Sequence, residues 1–350
     1  MRNCSLLALL VVTLISSFVY PQTNRSATAY YSRAKERFAK GDLEGAAADF
    51  SITIAFLPDW ELAYYHRGLV FKKKGELQEA LKDFDRCVQI NPRFADGYNS
   101  RGAVKYTSGD PDGAMADYNR ALKIDPRFAL AYNNRGNARM HRGDIQGAVA
   151  DFDTAIRLDS LLANAHHGRG QARYLRGDFS GAIADFTKAI KIDPHLAETY
   201  FNRGAARRGL GDLEGALADL NFSIKLNPGL AELYELRGKV LQEKGDLNAA
   251  ITDFDRSIEI NRYFVQAYFH RGNAWYIKGE MERAIADYSE VIKTAPGHAE
   301  AYANRGLARL RMGRTTEAEH DFKECLRLNP NLKSMIERQV REIERQRTSR

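Results

Sequence analysis

Two consecutive stretches of the chain decide its fold. The first is ADGYNSRGAVKYTSGDPDGAMADYNRALKIDPRF, residues 95–128, and the second is ALAYNNRGNARMHRGDIQGAVADFDTAIRLDSLL, residues 129–162. Aligned without a gap, both have Tyr at position 4, Arg-Gly at 7 and 8, Gly-Asp at 15 and 16, Ala at 20, and Asp followed by an aromatic residue at 23 and 24. A fixed period of this length predicts one supersecondary unit copied along the chain, not two or three globular domains.

The period of 34 residues extends without insertion or deletion from Ala27 to Leu332. Position 15 is always Gly and position 20 is always Ala, while position 8 is Gly in all repeats but the first. Nine repeats in phase make a chance pattern implausible. The predicted repeats are residues 27–60, 61–94, 95–128, 129–162, 163–196, 197–230, 231–264, 265–298 and 299–332.

Each repeat reads as a helix hairpin. Two stretches of about a dozen residues with helical apolar spacing flank a Gly-Asp or Gly-Glu step, and we expect the acidic residue to cap the second helix. The small residues at positions 8 and 20 allow the two helices to approach closely, with the aromatic residue at position 24 filling the space beside them. Pro at position 32 ends the second helix in seven of the repeats.

This pattern resembles the tetratricopeptide repeat, in which aromatic, Gly, Ala and Pro residues recur at these offsets. The resemblance covers 306 of the 350 residues. It implies an all-α, right-handed superhelical solenoid of antiparallel helix hairpins, with a C-terminal capping helix and basic tail at residues 333–350. It also implies a concave groove that receives an extended peptide or a partner helix.

Two charged positions are constant as well. Position 7 is Arg in every repeat, where the resembled family has Leu, and position 23 is Asp in every repeat. Recognition surfaces vary between repeats, whereas positions that maintain the framework stay constant. The two positions therefore predict a ladder of Arg–Asp ion pairs within a repeat or across to its neighbour; a charged ligand-binding row is the alternative.

The variable face of each first helix is the predicted binding surface. Positions 2, 5, 9, 12 and 13 lie on one side of that helix, opposite the constant positions, and differ between repeats. Repeats 3–5 place amides and imidazoles there, which can pair with a peptide backbone, although a solvated helix face also tolerates Asn. The predicted groove residues, including two at neighbouring position 6, are Tyr31, Lys35, Tyr65, Lys72, Asn99, Asn133, Asn134, Asn137, His141, Asn164, His167, Gln171, Phe201, Asn202, Glu235, Phe269, Asn273 and Tyr276.

The two ends of this predicted groove differ in charge. Lys35 and Lys72 make the beginning basic, whereas Glu235 contributes to an acidic region in repeat 7. Tyr and Phe side chains at both ends would anchor apolar groups of a partner. The sequence thus predicts a polarised groove.

The N-terminal segment indicates export. Arg2 precedes an apolar run from Leu6 to Tyr20 that Pro21 interrupts, which is typical of a secretory signal peptide. The absence of a clear cleavage site leaves an uncleaved signal anchor open, so residues 1–22 are either removed or tether the protein to a membrane. We therefore expect an exported protein that is periplasmic, secreted or membrane-anchored.

Composition and charge narrow the function class. The net charge is +7, but residues 23–332 carry 45 basic and 42 acidic residues without a basic stripe, which argues against a nucleic-acid partner. The histidines lack metal-ligand spacing and no catalytic constellation is present, so we expect no enzyme activity, cofactor or metal. The expected function is a protein-interaction scaffold. An accessory subunit that presents substrates to an enzyme such as a glycosyltransferase, or a purely structural spacer, are the alternatives.

Overall fold

The computed structural model of the protein describes residues 25–348. The predicted signal segment, residues 1–22, lies outside the described residues. Within the described part the regular structure is entirely helical, and no helix there is both long and apolar enough to cross a membrane. The chain divides into an N-terminal body that ends at Ala172 and a C-terminal body that begins at Arg173.

Helices follow one another in pairs along the chain. From the second repeat onward the first helix of a pair begins at the first residue of its 34-residue repeat, as at Ala95 and Ala129. The helices are α1 (residues 25–39), α2 (Leu43–Phe56), α3 (Glu61–Lys74), α4 (Leu77–Ile90), α5 (Ala95–Thr107), α6 (Pro111–Ile124), α7 (Ala129–His141), α8 (Ile145–Leu158), α9 (Ala163–Leu175), α10 (Phe179–Ile192), α11 (Ala197–Gly209), α12 (Leu213–Leu226), α13 (Ala231–Glu243), α14 (Leu247–Ile260), α15 (Val265–Lys278), α16 (Met281–Thr294), α17 (Ala299–Arg311), α18 (Thr315–Leu328) and α19 (Lys333–Thr348).

Hairpins stack side by side within each body. In the N-terminal body α5 packs along α6 and α7 along α8, while α6 contacts α7 of the next pair. In the C-terminal body α13 packs along α14 and α15 along α16, while α14 contacts α15. The predicted all-α solenoid of helix hairpins is confirmed.

A left-handed glycine turns the chain between the two helices of a hairpin. All nine glycines at position 15 have φ between +78° and +89°, a conformation in which a side chain is strained. The next residue then caps the second helix where it is Asp, as Asp110 Oδ1 accepts the backbone N–H of Gly113 at 2.8 Å. Glu76 and Glu280 make no such bond, so the expected cap holds for Asp but not for Glu. The Asp side chain, which is shorter than that of Glu, is the one whose carboxylate accepts the backbone N–H at the start of the second helix.

In seven of the nine repeats the hairpin combines an aromatic ring at position 24 with a glycine at position 8. Phe152 is fully buried, and a Cβ added to Gly136 in the same repeat would lie 2.8 Å from its ring. The ring also packs under the next first helix, since a Cβ on Gly168 would lie 2.5 Å from it. Glycine at position 8, here Gly136, and Gly168 at position 6 of the next repeat therefore set how closely the helices approach this ring.

The last helix, α19, caps the C-terminal body. Its apolar residues Ile336 and Ile343 are buried against α17 and α18, and it lies mainly against α17. The predicted C-terminal capping helix is confirmed.

Candidate functional site

An ion-pair ladder fixes the first helices in place. Arg135 at position 7 donates from Nε and Nη2 to the two carboxylate oxygens of Asp151 at 2.9 and 2.7 Å. Its remaining Nη1 donates across to the preceding repeat, to Oδ1 of Asn119 at 2.8 Å. One guanidinium thus ties together both helices of its own repeat and the second helix of the preceding one. The same pair within one repeat is present as Arg33–Asp49, Arg67–Asp83, Arg101–Asp117, Arg203–Asp219, Arg237–Asp253, Arg271–Asp287 and Arg305–Asp321.

The acceptor in the preceding repeat was missed by sequence reasoning. It is position 25, which is always a short residue with a side-chain oxygen in repeats 1–8, and this constancy of type was the available signal. Because Asp, Asn, Ser and Thr alternate there, a search for one repeated residue does not find it. The acceptors are Ser51, Asp85, Asn119, Asp153, Thr187, Asn221, Asp255 and Ser289.

A second cation reaches the buried carboxylate in most repeats. Position 11 supplies it, as Arg139 does to Asp151 at 2.9 Å. In repeats 2 and 8 position 11 is Phe or Trp, and there burial raises the pKa of Asp83 and of Asp287 above the ordinary range. The carboxylates of these two repeats therefore have the cation at position 7 but not the second one at position 11.

Position 5 of the first helix proves to be a contact between repeats. Asn99 and Asn133 are only 4% and 3% exposed, so neither lies open to a ligand. Asn133 donates to Asn134 Oδ1 at 3.3 Å, and Asn134 donates to Asn99 Oδ1 at 2.9 Å. This corrects the expectation of an open row, because these three amides form a chain that joins repeats 3 and 4.

The rest of the predicted row is more accessible. His141 and Asn164 are exposed, and Asn137, His167 and Gln171 are half-buried. His141 also stacks edge-on against Tyr106, with ring centroids 5.6 Å apart. The open surface of repeats 3–5 therefore comes from positions 9, 12 and 13 together with position 2, and only marginally from position 5.

Repeats 1 and 2 combine exposed lysines with an aromatic cluster. Lys35 and Lys72 are exposed as predicted, but Tyr31 and Tyr65 are half-buried between repeats. Tyr31 packs against Trp60 and His66, at centroid distances of 4.4 and 5.5 Å, and Tyr65 packs against His66 and Phe94. These tyrosines hold repeats together more than they offer anchoring pockets.

Burial in this cluster, assisted by the charge of Lys35, lowers the pKa of His66 to about 4. The unfolded chain takes up a proton near pH 6.5, whereas the folded protein resists it down to about 4. The contribution of His66 to stability is therefore complete above pH 6.5 and is lost as the pH falls towards 4. Because solvent partly screens this imidazole, we expect a loss of about 1–2 kcal/mol of unfolding free energy between pH 6.5 and 4.

Urea unfolding of the full chain between pH 4 and 7 measures this loss. The His66→Phe variant keeps an aromatic ring in the cluster and should have a flatter profile, whereas His141→Phe, at an exposed imidazole, should follow the parent. A profile of His66→Phe identical to that of the parent protein would contradict the assignment.

In the C-terminal body the predicted residues divide in the same way. Glu235, at position 5, is 9% exposed and lies 3.2 Å from Nε2 of His270 and 3.6 Å from Nζ of Lys239. Phe269, also at position 5, stacks against His298 at 4.7 Å. Glu235 therefore faces the neighbouring first helix and supplies little of the acidic surface expected there.

The remaining predicted residues of this body are half-buried. Phe201 packs against the core around Leu220 and Leu236, and Asn202 is its neighbour on α11. Asn273 and Tyr276, at positions 9 and 12 of α15, lie on the open face of their helix. Over residues 25–348 no cluster of three or more His, Cys, Asp or Glu side chains has an arrangement that could hold a metal ion.

Comparisons with known proteins agree with this architecture. A family model described as TPR repeat matches residues 104–140, 170–211 and 272–313, and models described as tetratricopeptide repeat match residues 62–94, 231–264 and 299–332. Together these matches span more than half of the chain. The chain belongs to the tetratricopeptide repeat family, whose members generally mediate protein–protein interactions.

Three solved structures share this fold. A tetratricopeptide repeat protein from Parabacteroides merdae is 22% identical with a TM-score of 0.53, covering 68% of this chain and 94% of its own. Cut9, from the APC/C hetero-tetramer Cut9–Hcn1, is 17% identical with a TM-score of 0.60, covering 91% and 76%. The pilF protein of Pseudomonas aeruginosa is 17% identical with a TM-score of 0.55, covering 59% and 94%. No curated protein matches the sequence significantly.

Proposed function

We propose that this protein is a non-enzymatic scaffold that binds a peptide or partner segment along the first helices of its repeats. The observation that carries the proposal is the contrast between positions 9, 12 and 13, which differ from repeat to repeat, and the ladder residues, which do not. A constant frame with a changing, accessible face is the arrangement expected of a recognition surface. The sequence of residues 1–22 supports an exported location for it.

The burial of position 5 supports ligand contacts at other positions of the first helices. Asn99 and Asn133 are buried in the contact between repeats 3 and 4, so we infer that ligand contacts come from the accessible residues beyond them. In the N-terminal body these include Lys35 and Lys72, which are exposed cations, and His141. We infer that a partner segment carries acidic groups where it meets repeats 1 and 2.

Rigidity is the mechanism by which such a surface gains affinity. In repeat 4, for example, the first helix is held by the bidentate guanidinium of Arg135 in its own repeat and by a third bond to the preceding repeat. A preformed surface loses little conformational freedom when a ligand binds, so more of the contact energy appears as affinity. The ladder therefore serves binding without touching the ligand.

Photocrosslinking tests the proposal with the full chain. A photoreactive residue at His141, on the open first-helix face, is compared with one at Arg157, exposed on the second helix of the same repeat. We expect the same partner to be captured from His141 and from Lys35 but not from Arg157, and excess unmodified protein should compete. Equal capture at His141 and Arg157, or capture that resists competition, would contradict groove binding.

A further inference from the structure

A half-open cavity of about 310 Å³ lies on the first-helix face of the C-terminal body. Gln242 of α13, Tyr276 of α15 and Leu307 of α17 form three of its sides. Met335 and Gln339 of α19 form the fourth, and the exposed Ile277 lies at its edge. It is thus a place where the surface proposed for binding becomes concave enough to enclose a side chain.

The capping helix creates this cavity because it covers the first-helix face of repeat 9. There positions 5, 9 and 12 are the apolar residues Ala303, Leu307 and Leu310, and all three are buried, packed near Ile336 and Ile343. Repeats 7 and 8 instead have Gln242, Asn273 and Tyr276 on the corresponding face. The cavity lies between the part of the first-helix face that α19 covers, in repeat 9, and the part that stays open, in repeats 7 and 8.

Two polar atoms that border this cavity are buried without a hydrogen bond. Among the described residues, neither Oε1 of Gln242 nor the hydroxyl of Tyr276 has a partner within bonding distance. Asn273 Oδ1, in contrast, already accepts from Tyr288 at 2.8 Å and from Asn304 at 2.9 Å. A buried polar group without a hydrogen bond costs free energy. A ligand that forms hydrogen bonds with Gln242 and Tyr276 therefore gains binding free energy from them.

The lining selects the charge and the hydrogen-bonding pattern of such a ligand. The side chains that line the cavity are amides, phenols and apolar groups, with no Asp, Glu, Lys, Arg or His. Arg311 lies over the Tyr276 ring, 4.6 Å from its centroid, but is not part of the lining, so an ionic group inside the cavity would be desolvated without direct contact to a counter-ion. Gln242 Oε1 requires a donor from the ligand. Burial raises the pKa of the Tyr276 phenol, which therefore stays protonated at neutral pH and can donate to an acceptor.

We propose that the cavity bordered by Gln242, Tyr276 and Met335 binds an uncharged carboxamide, presented by an Asn or Gln side chain of the segment that lies on the first-helix face. A carboxamide carries a donor and an acceptor on one planar group, so it can pair with Gln242 and Tyr276 together. Ile277, Leu307 and Met335 contact its aliphatic stem. The inference rests on the proposed groove function, to which it adds a residue preference.

The test uses the full chain labelled with ¹³C at methionine methyl groups, because Met335 lines the cavity whereas Met115 lies in the N-terminal body. The probes are propionamide, 2-butanone, which lacks the donor, and propionate, which carries a charge. We expect a saturable shift of the Met335 signal with propionamide at an apparent affinity at least about fivefold tighter than with either analogue, and no shift of Met115. Equal responses to the three probes, or none, would overturn the assignment.

Two variants complete the test. Tyr276→Phe should weaken propionamide at least about fivefold while leaving the fold intact, because it removes only an unpaired hydroxyl. Tyr106→Phe removes the hydroxyl group at the same repeat position in the N-terminal body and should leave the Met335 response unchanged. A Tyr276→Phe protein that binds propionamide as the parent does would also refute the site.

A pair of peptides identifies the source of the carboxamide. Acetyl-Gly-Gln-Gly-amide should shift Met335 at lower concentration than acetyl-Gly-Glu-Gly-amide, which has the same backbone amides. If propionamide binds but the two peptides are equivalent, a peptide side chain is not the ligand and the inference fails. None of these readouts depends on crosslinking at His141, so failure of the cavity and failure of groove binding are separately visible.

Discussion

The Asp219→Ala variant is expected to lose about 3–5 kcal/mol of unfolding free energy. Asp219 is 3% exposed and accepts from Arg203 at 2.9 and 2.7 Å and from Arg207 at 2.9 Å. Its removal leaves Arg203, which is largely withdrawn from water, without a carboxylate, and leaves Arg207 with only the carboxylate of Asp212 at 3.6 Å. Thermal and urea unfolding of the full chain followed by circular dichroism measure the effect, which should appear as a lower midpoint for the C-terminal body.

A matched control separates the ladder from ion pairs in general. Asp112 also binds an arginine, Arg142 at 2.7 Å, but both side chains are largely exposed. Exposed pairs contribute little, so Asp112→Ala should change the unfolding free energy by less than about 1 kcal/mol. Similar losses for Asp112→Ala and Asp219→Ala would show that the ladder has no special structural role.

A loss of about 3–5 kcal/mol is also expected for Phe152→Ala. The ring is fully buried between Gly136 of its own repeat and Gly168 of the next, at the contact where no side chain fits beside it. Truncation leaves a cavity that two helices would have to collapse around, and the ladder at Arg135 and Asp151 resists that movement. Unfolding of the N-terminal body is the measurement.

The chain contains its own control for this position. Repeat 6 has Leu220 in place of the aromatic residue, and a Cβ on Gly204 would there lie 3.1 Å from Leu220. Leucine is therefore compatible with the frame, so Phe152→Leu should cost about 1–1.5 kcal/mol, well below the alanine variant. A leucine variant as unstable as the alanine variant would mean that ring shape, and not buried volume, determines stability here.

The period of the sequence was sufficient to predict the helix pairs, the Gly-Asp or Gly-Glu step between them and the bond between positions 7 and 23. Each depends on contacts that recur in every repeat, so nine copies of Arg and Asp reinforce the same inference. The third bond of the arginine was not predicted, because its acceptors Asp85, Asn119 and Thr187 share a short polar side chain and not an identity.

The candidate site was predicted less well. A helical wheel places Asn99 and Asn133 on the side opposite the constant residues, but it does not show how closely the next first helix approaches that side. In the structure the approach buries both amides and joins them through Asn134. The cavity beneath α19 was equally invisible, because its walls come from helices far apart in sequence.

The hydrogen bond from the arginine at position 7 to the preceding repeat also affects how the number of repeats can change. The arginines of repeats 2–9 each donate to an oxygen at position 25 of the preceding repeat. Duplication or loss of one whole internal repeat therefore leaves every bond in register, whereas an insertion of another length breaks it. At the end of the array the same position is Lys323, where an added arginine would meet a like charge. Recombination can thus lengthen or shorten the interior of the array, whereas a repeat inserted directly after repeat 9 would lack this bond.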